Sequence, residues 1–118
     1  MPALEVITNV PKDKIPADLA RNLADTVSKL FGRPAAYVCV TIRPDTIISW
    51  GGKDAPAALV HISSIGLIDR ERNKKASTTL FPLFHKNLGV TADRLFILFH
   101  EFTADNWGFK DSDKVNFG

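Results

Sequence analysis

A chain of 118 residues in which 45% are hydrophobic is one domain's worth of sequence (residues 1–118), apolar enough to build a core and too apolar for a disordered segment. Its 15 basic and 13 acidic side chains are interspersed and leave a net charge of +2, which excludes the basic stripe of a nucleic-acid binder. The single cysteine, Cys39, excludes an internal disulfide framework and a Cys-based zinc site. The histidines, His61, His85 and His100, lack metal-ligand spacing and read as structural, so no metal site is expected. No apolar run reaches transmembrane length and no signal core opens the chain. The expectation is a cytoplasmic protein, or one secreted without a signal peptide, with no membrane insertion.

The elements follow in chain order. "ALEVIT", Ala3 to Thr8, reads as a strand, and the residue before it is Pro2. Initiator methionine is commonly removed before a small residue, which would leave Pro2 as a free secondary amine. The next element, "PADLARNLADTVSKLF", is a helix with Leu19, Leu23, Val27 and Leu30 or Phe31 at helical spacing. Pro16 is expected at its first position, with Asp18 complementing the positive helix end. Gly32 follows as a left-handed cap, and then the strand "VCVTIR". The connector "RPDTIISWGGKDAP" is turn-rich and holds one expected short strand, Ile47 to Trp50.

The second half repeats the first. Strand "AALVHISSI" precedes helix "RERNKKASTTLFPLFHKNL", the cap Gly89, and strand "LFILFH". Asp69 is the expected N-cap; Leu80, Leu83, Phe84 and Leu88 form the apolar face. Pro82 should kink this helix without ending it. Two strand–helix–strand units therefore predict an α+β fold: a four-stranded mixed sheet with two helices on one face. The strands read as apolar on both sides, so the helix-free face calls for a second copy of the chain.

The ordered set "MPALEVITNVP", "FGRPAAYVCVTIRPD", "WGG", "HISSIG" and "TADRLFILFHEFTADNWGF" resembles the macrophage migration inhibitory factor and D-dopachrome tautomerase family over essentially the whole chain. The resemblance implies a homotrimer whose sheets surround a central channel. It implies an interfacial pocket, no cofactor, and keto–enol tautomerisation of small aromatic keto or enol carboxylates with Pro2 as the base. The chemistry is sound in itself. An α-amine titrates near ~8, and an apolar pocket with a nearby cation lowers that value towards working pH.

The remaining site residues are carried over by position. Arg33 stands where the family usually has lysine and would hold the substrate carboxylate. Ile65, through its backbone N–H, and Ser64 beside it match the family's pattern. Phe96 and Leu98 replace a tyrosine and an asparagine of the cytokine branch and dry the pocket wall. Trp107 replaces a smaller residue and narrows the mouth, with Phe109 as an aromatic opposite; Tyr37 and Trp50 are further aromatic candidates. The cytokine branch's Cys-x-x-Cys is "AALV" here, Ala57 to Val60, so thiol redox activity is not expected. Lys12 and Asp45 keep the loop charges through which that branch engages a cell-surface receptor. The second class of function is accordingly a cytokine-like ligand with weak or vestigial turnover.

Overall fold

The computed structural model describes residues 1–109. Strand β1 (Pro2–Thr8) is followed by helix α1 (Leu19–Phe31) and strand β2 (Cys39–Arg43). Strand β3 (Ala58–Ile65), helix α2 (Arg70–Leu88) and strand β4 (Leu95–Phe102) repeat the unit. The sheet order is β2-β1-β3-β4. Each half contributes a parallel pair, β1 with β2 and β3 with β4, and the halves join through the antiparallel pair β1–β3. This is the four-stranded mixed sheet with two helices that the sequence predicts.

Alternation along the strands decides the faces. Leu4, Val6, Val60 and Ile62 are fully or almost fully buried and pack with Leu19, Leu23 and Val27 of α1 and Ala76, Leu80, Phe84 and Leu88 of α2. Both helices therefore cover one face. Leu83 packs only on the margin of this core. Gly32 and Gly89 terminate the helices at φ 62° and 67°, where a side chain would be strained. Asp69 caps α2, its Oδ1 accepting from the Arg72 N–H at 2.8 Å. Helix α2 runs through Pro82 without ending.

Three expectations need correction. Helix α1 begins at Leu19, not Pro16: residues 16–18 form a turn in which the Leu19 N–H reaches the Pro16 carbonyl. Ile47 to Trp50 is not a strand within the protomer. Only an isolated bridge joins Trp50 to Lys53, and Ile47 is fully exposed. The helix-free face is also less apolar than the strands suggest. Glu5, Thr41, Arg43, His61, Ser63 and His100 share it with Phe96 and Leu98.

The connector is instead held by two polar clamps. Asn9 donates to the Asp54 and Ala55 carbonyls, and its Oδ1 accepts from the Ala57 N–H. Arg94, at the mouth of β4, donates to the carbonyls of Pro56 (3.0 Å), Ala55 (2.7 Å), Lys53 (3.3 Å) and Trp50 (3.4 Å). A planar guanidinium suits this fan of acceptors, and an ammonium does not. Arg94→Lys should cost about 1–2 kcal/mol in denaturant unfolding, because charge-assisted bonds are lost at a partly solvated site. It should also speed amide exchange across residues 50–56. Parental stability and exchange would show that Arg94 is not the clamp.

Candidate active site

The start of β1 lies at the centre of the sheet. Proline has no N–H to contribute to a ladder and is tolerated at a strand's first residue. Pro2 opposes Ser64 on the last β1–β3 rung. Ile65 follows one residue later, opposite Phe102 of β4, and the Gly66 N–H closes that end by donating to the Phe102 carbonyl at 3.2 Å. Pro2, Ser64 and Ile65 are all buried. The Ser64 hydroxyl is buried with no hydrogen-bond partner, an uncommon state for such a group.

Arg33 reaches this end from α1. Beyond the Gly32 cap, the Arg33 N–H bonds to the Ser28 carbonyl at 3.1 Å, and the Ser28 hydroxyl returns a bond to the Arg33 carbonyl. Both sides of the Arg33 backbone are thus tied to the last turn of α1. Its Nε is buried and unpartnered, so two of the three such side-chain atoms among the described residues, Arg33 Nε and Ser64 Oγ, belong to candidate site residues. The chain's amine, here that of Met1, is held below its ordinary value, first by partial burial and then by the Arg33 charge. Burial and a cation both favour the neutral amine, which is the form able to take a proton.

Aromatic rings flank the same end. Trp107 meets Phe102 edge-to-face at 5.6 Å between centroids, beside the Ile65 rung. Phe102 was not among the sequence-predicted site residues. Its register with Ile65 is the signal, and register is invisible in one sequence. Tyr37, two residues before the Ala3–Cys39 rung, meets Phe109 edge-to-face at 6.1 Å.

Phe96 and Leu98 lie elsewhere. The Pro2–Ser64 rung continues to Glu101 of β4, and Phe96 is five residues earlier, roughly 16 Å along the strand. Both side chains emerge on the helix-free face, 57% and 39% exposed, where Phe96 packs on Trp50 at 4.3 Å. Within one protomer they cannot line a pocket at Pro2. Lys12 and Asp45 sit beyond the opposite end of β1, tied by the Lys12 N–H to Asp45 Oδ2 at 3.3 Å. Asp45 takes a positive φ of 56° there.

The lone Ser64 hydroxyl yields a prediction. Deleting a buried polar group that has no partner is neutral or stabilising. Ser64→Ala should therefore unfold at the parental denaturant midpoint or above it. A loss of more than about 1 kcal/mol would mean that the hydroxyl is bonded in the folded state.

Comparison with known proteins assigns the family and the fold. The family model for macrophage migration inhibitory factor matches residues 1–114. The chain is 36% identical over 112 residues to macrophage migration inhibitory factor of Xenopus tropicalis, covering 95% of this chain and 97% of the other. It is 33% identical over 109 residues to the macrophage migration inhibitory factor homolog of Trichinella spiralis, covering 92% and 96%. Among solved structures, the Trichinella spiralis factor superposes with a TM-score of 0.89 at 30% identity, covering 92% of this chain and 96% of that one. The homologue from Prochlorococcus marinus gives 0.85 at 28% identity, covering 93% and 96%. With the model spanning nearly the whole chain and the fold superposing end to end, this chain belongs to the macrophage migration inhibitory factor family.

Proposed function

We propose that this chain is a cofactor-independent keto–enol tautomerase that works as a homotrimer, with the Pro2 nitrogen as general base once Met1 has been removed. The observation that carries the reading is geometric: Pro2 is buried at the head of β1 opposite Ser64, and the buried, unpartnered polar atoms among the described residues include Ser64 Oγ and Arg33 Nε. Removal of Met1 moves the amine one residue inward, to the rung opposite Ser64. The neutral secondary amine takes a proton from the carbon next to a substrate carbonyl, and the electron pair moves into the enolate. The resulting ammonium then returns the proton to the enolate at oxygen or at another carbon. No redox step or cofactor is required.

The other groups divide the work. The Arg33 fork binds the substrate carboxylate and holds the amine neutral. Ser64 and the Ile65 N–H face the substrate oxygen. Phe102, Trp107 and Phe109 wall the aromatic end. Phe96 and Leu98 reach a pocket only from a neighbouring copy, so the site is complete only in the assembly. A second reading, a cytokine-like ligand, draws on the pairing of Lys12 with Asp45 at the far end of β1. Loss of tautomerase activity with receptor binding intact would favour it.

The base is tested by extension. Placing an alanine before Pro2, verified by mass, turns the nitrogen into an amide. Turnover should vanish while sedimentation equilibrium still gives about three times the subunit mass. Parental turnover would remove Pro2 from the mechanism. In the parent, kcat/KM should rise with pH through one group lying below the ~8 of a free α-amine, because only the neutral form accepts a proton. Arg33→Ala should weaken transition-state binding of a keto acid by about 1.5–3 kcal/mol more than that of its methyl ester, which feels only the lost effect on the amine. An equal loss on both substrates would show that Arg33 does not hold the carboxylate.

A further inference from the structure

We propose that His61 and His100 form one proton-sharing unit on the helix-free face of the sheet, and that uptake of a second proton by this unit releases the subunit packing on that face. The inference rests on the homotrimer reading for what packs there. The pair itself is on the page. His61 of β3 opposes Leu98, and His100 of β4 opposes Ser63, so the two imidazoles are diagonal neighbours on adjacent strands. His61 Nδ1 and His100 Nε2 are 2.9 Å apart, the ring planes differ by 17° and the centroids are 5.1 Å apart. That centroid separation is what one hydrogen bond plus the radii of two five-membered rings requires. The rings therefore meet edge to edge, with the two nitrogens pointing at each other.

This geometry admits one hydrogen between the facing nitrogens. One must donate and the other must accept through its lone pair. A first added proton makes one ring a cation that still donates to its neutral partner, and the bond becomes charge-assisted. A second places a hydrogen on both facing nitrogens. The bond is lost and two cations stand at contact distance, where their repulsion turns the rings apart.

The neighbouring charges do not absorb the second proton's charge. Glu5 faces His61 across the β1–β3 ladder, but its carboxylate is already bonded to Arg43 at 3.0 Å. Cys39, at the far side of the same face, supplies a thiol three strands away from His100, with β1 and β3 between them. Glu101, the next residue after His100, projects from the other face by strand alternation. Facing nitrogens that share one hydrogen also leave no room for a metal ion between them, and no group of three candidate ligands forms among the described residues.

The pair sits beside Leu98, on the face from which Phe96 and Leu98 project 39–57% exposed. Those are the side chains that the assembly places against a neighbouring copy. Rings driven apart at the β4 edge of this face disturb its packing. Association then falls as pH drops through the second protonation, because the dissociated chain binds that proton more readily.

The test is association measured by analytical ultracentrifugation at pH 7.5 and 5.0, with nitrogen-15 NMR of the rings. Parent, His100→Phe and His61→Gln are compared. The parent should be trimeric at pH 7.5 and associate at least about tenfold more weakly at pH 5.0, while both variants lose that dependence. The nitrogen-15 spectra should show one hydrogen shared between His61 Nδ1 and His100 Nε2 at pH 7.5. A parent that is trimeric at both pH values, or variants that dissociate in acid as the parent does, would overturn this inference and leave the trimer standing. A parent already monomeric at pH 7.5 would overturn the trimer reading and the inference with it.

Discussion

The structure depends on where the chain begins. β1 is paired on both edges, parallel to β2 and antiparallel to β3, so its first residue enters at the middle of the sheet and not at a rim. An amine carried into that position loses hydration whatever else surrounds it, and the ammonium form is the one that suffers. Proline suits the position because a strand's first residue can forgo an N–H. The feature that makes the head of the chain structurally acceptable is also the one that supplies a secondary amine in the proposed mechanism, once Met1 is removed.

The cation beside that amine is placed by helix capping. α1 ends at Gly32 in the left-handed region, and the turn delivers Arg33 to the sheet end with its backbone bonded to Ser28 on both sides. A capping motif fixes a backbone far more tightly than a solvated loop would, and among the described residues no carboxylate forms an ion pair with Arg33. The buried, unpartnered Arg33 Nε and Ser64 Oγ follow from the same geometry. Polar groups left unsatisfied by the fold are the ones available to a ligand.

The two faces of the sheet divide the remaining labour. The helix side is a continuous core of Leu4, Val6, Val60 and Ile62 against both helices. The other side mixes Phe96 and Leu98 with an ion pair and a histidine pair. A mixed face of this kind suits association between folded subunits, which needs polar pairing as well as apolar contact.

Local signals by themselves determined a great deal. The 3.6-residue spacing of Leu19, Leu23 and Val27, the glycines at 32 and 89, the Asp69 cap and the duplicated order of elements are properties of short stretches, and short stretches carry them whatever the rest of the chain does. The resemblance to the family, and not any local signal, put forward Pro2, Arg33, Ser64 and Ile65 as one site. Tertiary structure alone decided which residues meet across the ladder. Alternation assigns a side chain to one of two faces but says nothing of its partner. The Phe102–Ile65 rung, the His61–His100 bond spanning 39 positions and the separation of Phe96 and Leu98 from Pro2 all needed the register. The stretch from Ile47 to Trp50 failed as a strand for the same reason: its residues have the right types, but it pairs with none of the four strands, and Asn9 and Arg94 supply the bonds that hold the connector instead.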